Sequence, residues 1–304
     1  MSRELKFASG EQARLRITKQ QRRQIKSMYS KLDKEAKKNL KSLETQTSAT
    51  AYLQRMRLTD FVASLQNAST AMNKDLESII KGNMIIVSKA VVSDVGTLLN
   101  KAKVSIKGAY AYVPTDIVTR ISTGKVYESG WSLSSAIWSN NKKIHEDIQQ
   151  IVAQGTAANK SAFDIAKDLE RYVNPNARKD WKWSKVYPGS NKVIDYNAQR
   201  LARTLVSHSY QQSVIEIAKT NPYTQGIKWI SSGSERTCDL CEERDGKIYP
   251  VDDVPLDHPN GMCTYTVVLT KDLQTIANEL AESAVQPLRN PDVEKWKQAM
   301  RGAR

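Results

Sequence analysis

The sequence predicts an α+β chain that is predominantly helical, with long N-terminal helices followed by a small, metal-stapled α+β C-terminal module. Three observations carry this expectation. Apolar residues recur at spacings of three and four through the first hundred residues. Two short runs with strand character, Ile227 to Ser231 and Thr264 to Leu269, lie in the last third of the chain. All three cysteines of the 304 residues, Cys238, Cys241 and Cys263, fall in the loop between those runs and share it with His258.

In residues 15–43, Ile25, Met28, Tyr29, Leu32, Ala36, Leu40 and Leu43 give one helix face an apolar stripe and leave the other face basic. A second helix follows from Phe61, Val62, Leu65, Ala68, Met72, Leu76 and Ile79. Gly82 and Asn83 are expected to interrupt it, and Met84, Ser88, Val91, Val95, Leu98 and Ala102 predict a third, so the first hundred residues read as long antiparallel helices. From Tyr110 the pattern changes to Gly, Ser and aromatics. A helix then carries Ile144, Ile148, Ile151 and Val152 on one face and is expected to end at Gly155.

Ser161 with Asp164 forms a capping-box-like start for a helix through Ile165, Leu169 and Val173, which Asn174-Pro175 stops. Residues 176–195 read as a loop in which Trp181, Trp183 and Tyr187 alternate with Arg178, Lys179, Lys182 and Lys185. The next helix is lined by Ala198, Leu201, Ala202, Leu205 and Ser209 and ends at Asn221-Pro222. Asp245-Gly246 suits a turn that returns Ile248 and Tyr249 toward the cysteines. Composition divides the chain into a basic helical region (1–109), a helical middle region with the aromatic and basic loop (110–192), the metal-stapled module (193–272) and a C-terminal tail (273–304).

The formal net charge is +14, and the first sixty residues hold fifteen Lys and Arg against six acids. Such a field attracts polyanions through counterion release. Arg14, Arg16, Arg22, Arg23 and Lys26, with Lys179 and Lys182 of the aromatic loop, are the candidate DNA-contacting residues. The competing reading is a solvated helix face that keeps the protein in solution. No run approaches the roughly twenty apolar residues of a membrane span, the longest uninterrupted one being Met84 to Val87, so no membrane partner is expected. The first residues hold no apolar signal-peptide core, which predicts a reducing cytoplasm where thiols serve metals and stay unoxidised.

A Cys-x-x-Cys pair projects two thiolates from one tight turn, and His258 and Cys263 can complete a tetrahedron of three sulfurs and one nitrogen. Four protein ligands leave no open position, so the expected ion is a structural zinc. A disulfide between Cys238 and Cys241 is the alternative, and it would leave Cys263 unpaired. The neighbouring acids Asp239, Glu242, Glu243 and Asp257 read as solvated or as supports for the ligands. His145 and His208 are lone helical histidines, with His208 placed to hydrogen-bond near the loop.

The residues around the cysteines resemble the Mu F-like minor head proteins of tailed bacteriophages, the phage head-morphogenesis family. The resemblance rests on Arg203-Thr204 in a helix, Trp229 in a strand, Cys238 and Cys241, the Asp245-Gly246 turn, His258-Pro259-Asn260, and Cys263. Many relatives carry Cys-x-Cys after His-Pro-Asn, whereas this chain has Gly261, Met262 and a single Cys263. The resemblance is specific over 193–270 and extends back to about residue 112. It implies a non-enzymatic minor capsid protein, located in the capsid interior of the virion and in the host cytoplasm during assembly. Its implied partners are the portal protein, scaffold or major capsid protein, and DNA without sequence preference.

The alternative is a metal-dependent nuclease or other DNA-processing enzyme of a phage or prophage. The residues give it little. A zinc deaminase needs His-x-Glu before its Cys-x-x-Cys, but the nearest upstream histidine, His208, is followed by Ser209 and Tyr210. No histidine follows residue 258 to complete a His-Asn-His nuclease. Ser122-Thr123-Gly124-Lys125 is not a phosphate loop, since Thr119 stands where the first Gly belongs and Val126 where Ser or Thr is required.

Overall fold

The computed structural model describes residues 3–44, 50–174, 194–233, 237–287 and 290–302. In chain order these form β1 (Glu4–Lys6), α1 (Ala8–Glu44), α2 (Ala51–Lys101), α3 (Val113–Ser122), α4 (Leu133–Ala157), α5 (Ala162–Val173) and α6 (Tyr196–Thr220). Then come β2 (Thr224–Ile230), α7 (Asp239–Arg244), β3 (Ile248–Tyr249), β4 (Thr264–Leu269), α8 (Leu273–Val285) and α9 (Pro291–Met300). The chain is α+β and mainly helical, as its periodicity predicts. Contacts group it into two compact units, one of residues 1–19, 80–130 and 202–304, the other of 20–79 and 131–201. This is a partition by packing, whereas the four sequence segments are a partition by composition.

The first unit is built on a four-stranded antiparallel sheet in the order β1-β4-β2-β3. Alternation along the strands places Leu5, Ile227, Trp229, Tyr265, Val267 and Leu269 in the core, each at most 5% exposed. β1, with Leu5 opposite Val267, lies outside the sequence expectation. Most of α6 packs in this unit, and from Leu205 to Ala218 it is buried all round. Small Ala and Ser side chains allow close neighbours, and its polar groups find partners inside: Ser213 meets Ser88 at 2.6 Å, and Tyr210 donates to the Tyr265 carbonyl at 3.2 Å.

The C-terminal segment is docked helix in place of a tail. Asp272 caps α8 by accepting from the Gln274 and Thr275 amides, and Asn290 caps α9 with Pro291 at its first position. Trp296 is 1% exposed, and its indole N–H donates to the Tyr110 hydroxyl at 2.8 Å.

α2 is one helix where two were expected. Gly82 and Asn83 do not break it, because Leu76, Ile80, Met84 and Val87 are all at most 2% exposed, and burying that stripe outweighs the ~1 kcal/mol cost of a helical Gly. By length and composition α2 contains a stretch apolar enough to cross a membrane, but half of that stretch is buried inside the protein. Its buried positions, Ile80, Met84, Val87, Val91, Val95 and Leu98, repeat at three and four, the pattern of a core helix.

In the second unit, the apolar stripe of α1 (Ile25, Met28, Tyr29, Leu32, Ala36) is at most 4% exposed. Ser161 caps α5 as expected, accepting from the Asp164 amide at 3.1 Å. α4 runs past Gly155 to Ala157. There a Cβ on Gly155 would stand 2.7 Å from Ile165 Cγ1, so the glycine serves the close approach of α4 and α5 instead of a helix stop.

Candidate metal centre

The loop from Ser231 to Cys263 hangs between the paired strands β2 and β4, so its two ends are fixed by the sheet. Within it the backbone turns back at Gly246, whose φ of +73° favours glycine, and the Gly246 amide donates to the Trp229 carbonyl. Cys238 starts the short helix α7. The Cys241 amide bonds back to its carbonyl at 2.9 Å, which folds Cys-x-x-Cys into one turn.

Two groups of donors converge here: Cys238, Cys241 and His258, and Cys241, Asp257 and Cys263, with the donor atoms of each group within 4.8 Å of one another. Cys241 belongs to both, so the four expected ligands form one cluster that can bind a metal. Cys238 Sγ lies 3.3 Å from His258 Nε2. The edges of a tetrahedral site with Zn–S and Zn–N bonds of ordinary length measure about 3.5–3.8 Å, so the spacing suits a shared ion. His258 Nδ1 lies 3.1 Å from the Pro259 carbonyl. A proton on Nδ1 makes that bond and leaves the Nε2 lone pair toward Cys238.

Asp257 is the hub of the loop and 4% exposed. Its Oδ1 accepts from the His258 amide and its Oδ2 from the Cys263 amide, both at 2.9 Å. Its own amide donates to Gln211 Oε1, and its carbonyl receives His208 Nε2 at 2.9 Å. With both carboxylate oxygens engaged on the backbones of two ligand residues, Asp257 shapes the site from outside. His208, which bonds the loop as its position suggests, is completed by the Tyr127 hydroxyl 2.9 Å from Nδ1.

The motif residues meet in space. Asn260 donates its amide to Thr204 Oγ1 at 3.1 Å and accepts from Arg203 Nη1 at 3.3 Å, so the Arg-Thr pair of α6 holds the His-Pro-Asn turn. Trp229 is fully buried between the Arg244 guanidinium, 5.1 Å from its ring, and Tyr265.

Electrostatics divides the thiols. Cys238 is exposed, and its thiol is drawn down, first by the Cys241 backbone and then by the Cys241 and His258 side chains. Burial pushes the Cys241 thiol far up, helped by hydrogen bonding to Cys263 and Cys238. Burial and the Asp257 charge raise Cys263 as well. His258 is raised by its bond to the Pro259 carbonyl. A divalent cation reverses this balance by favouring the thiolates.

The basic residues fare differently. Arg16, Arg22, Arg23 and Lys26 are exposed on α1. Arg14 is not on that surface. It is 1% exposed and donates from Nη2 to the Met262 carbonyl at 3.0 Å, because its helical position faces the core of the first unit. Lys179 and Lys182 lie outside the described residues. Sequence reasoning included Asp257 among the acids that could support the ligands but missed Arg14 as part of the loop's frame, since an arginine in a basic helix does not signal burial.

Comparison with protein families matches residues 142–265 to the family described as Phage Mu protein F like protein. Comparison with curated proteins and with solved structures gave no match. The match covers most of α4, then α5, α6, β2 and the whole of the metal loop, the part of the chain that carries the Arg-Thr, Cys-x-x-Cys and His-Pro-Asn motifs. Residues 142–265, less than half of the chain, are therefore similar to the phage Mu protein F like family.

Proposed function

We propose that the protein is a minor head protein that acts without catalysis in procapsid assembly, associated with the portal and carried in the capsid interior with access to packaged DNA. The observation that carries this reading is the Mu F-like match over a segment whose motif residues all converge on the loop that holds the metal donors. Zinc is the ion that suits three thiolates and an imidazole, and with four protein ligands it leaves no place for a substrate. Its part is to fix a long loop with little apolar core of its own.

DNA contact is assigned to the exposed basic face of α1. Between residues 22 and 41 the exposed charged side chains are all basic: Arg22, Arg23, Lys26, Lys31, Lys34, Lys37, Lys38 and Lys41. They extend over about 28 Å of helix, long enough to follow several phosphates. Contacts from such a charged face to the phosphate backbone carry no sequence information, so the proposed binding is non-specific.

Metal analysis of the purified chain should find about one zinc, and a Cys238→Ser, Cys241→Ser double variant should lose it. Neutralising Arg16, Arg22, Arg23 and Lys26 should weaken binding to unrelated duplexes equally and flatten the salt dependence by up to ~0.9 log unit per lost phosphate contact. Unchanged affinity and slope would remove DNA from the function of α1. Plasmid cleavage with magnesium or manganese, abolished by a change at His258, would favour the nuclease reading. Proteomics of procapsids and mature particles tests the virion assignment directly.

A further inference from the structure

Arg14 presents a problem of charge. Its guanidinium is 1% exposed, and among the described residues it makes no ion pair. Its Nε is buried with no hydrogen-bond partner. The contacts it does make are neutral: Met262 O at 3.0 Å, Ser207 Oγ at 3.5 Å, Met262 Sδ at 3.6 Å, and the Tyr210 ring 5.6 Å from its centre. An arginine does not escape burial by losing its proton, so a site like this is costly unless negative charge lies close by.

Every polar contact of Arg14 leads toward the metal loop. Met262 immediately precedes Cys263, and Ser207 donates to the Gly261 carbonyl at 3.2 Å, so Arg14 and its partner hold both residues that separate the His-Pro-Asn turn from the last cysteine. Among the groups that act on its charge, after burial and Tyr210, are Glu11, Asp257 and Cys263. A divalent ion bound by three thiolates and an imidazole carries one net negative charge, and the Asp257 carboxylate beside it adds another.

We propose that Arg14 is a positioning residue that supplies the buried counter-charge of the metal centre and fixes the Gly261-Met262 backbone that presents Cys263. The proposal rests on the metal reading above. It makes the N-terminal segment part of the module. β1 pairs with β4, which begins just after Cys263, and Arg14 follows on the helix that leaves β1. Both lie outside the segment that matches the family.

The test uses the full chain with Arg14→Met, which removes charge and donors while keeping length, and Arg14→Lys, which keeps the charge. Zinc affinity is read by competition with a coloured chelator, and urea unfolding is followed with and without zinc. Arg14→Met should weaken zinc binding about tenfold or more, whereas Arg14→Lys should stay within about threefold of the wild type. The loss of stability in Arg14→Met should be larger with zinc than without it, a difference that a purely structural residue would not produce.

Equal zinc affinity in Arg14→Met and wild type overturns the proposal, as does an Arg14→Lys loss as deep as that of Arg14→Met. Where Arg14→Met does not fold, Arg14→Gln decides the same question, since it keeps an N–H donor without the charge. A wild-type chain that binds no zinc overturns the metal reading and this inference together. Zinc bound equally by wild type and the uncharged variants overturns this inference alone.

Discussion

A single methyl group added at Gly261 tests the architecture of the metal loop. An ideal Cβ there would stand 2.0 Å from Asp257 Cγ and 2.1 Å from each of its carboxylate oxygens, whereas ordinary contact begins at 3.4 Å. Gly261 is not among the glycines in the left-handed region, so the substitution to Ala brings a steric conflict without a backbone penalty. To relieve it the carboxylate must move by more than ~1 Å. That movement carries its oxygens away from the His258 and Cys263 amides, each now bonded at 2.9 Å.

A hydrogen bond to a charged group contributes about 1.5–3 kcal/mol, so losing both sets a ceiling of about 3–6 kcal/mol, and partial relaxation of the loop brings the expected cost to about 3 kcal/mol. Zinc affinity should fall about 10- to 100-fold, since both displaced amides belong to ligand residues. Urea unfolding of the metal-free protein and chelator competition measure the two effects. Gly82→Ala is the control of opposite sign: its Cβ meets nothing within 4 Å in a continuous helix, so it should stabilise by up to ~1 kcal/mol. Gly261→Ala protein with stability within ~0.5 kcal/mol of wild type and unchanged zinc affinity would refute the role given to Asp257.

Three further outcomes follow from the same geometry. Because the Cys241 and Cys263 thiols are held up by burial, they carry protons at neutral pH until a metal arrives. Zinc binding near pH 7 should release at least about two protons, those of Cys241 and Cys263, and tighten as pH rises, read by calorimetry in buffers of different ionisation enthalpy. His208 is kept below its ordinary value by burial, so below about pH 6.5 the unfolded chain takes up a proton that the folded one refuses. Stability should therefore fall as pH drops through that window, by at most ~1.4 kcal/mol per pH unit, and a wild-type slope unchanged by His208→Gln would contradict this. Trp296→Ala should cost about 3–5 kcal/mol and open α9 to proteases; retained protease resistance would argue against the docked C-terminus.

Local patterns reach far in this chain. The Ser161 cap, the end of α6 before Asn221-Pro222, the strand Thr264–Leu269 and the cluster of Cys238, Cys241, His258 and Cys263 were all legible, because each depends on residues near one another in sequence. The Arg-Thr and His-Pro-Asn motifs were legible as a resemblance, but that Asn260 sits on Thr204 and Arg203 is a fact of packing.

What only the tertiary structure decided concerns burial and distant partners. β1 has three residues, too few to show a period, and it exists because β4, more than 250 residues later, offers an edge. α2 crosses Gly82 because the stripe on either side of it is covered. Arg14 and Arg16 look equivalent in a basic helix, yet one turns inward to the metal loop and the other outward to solvent. Composition gives both residues the same charge, and only the neighbours that fold against them settle whether that charge meets water or the protein interior.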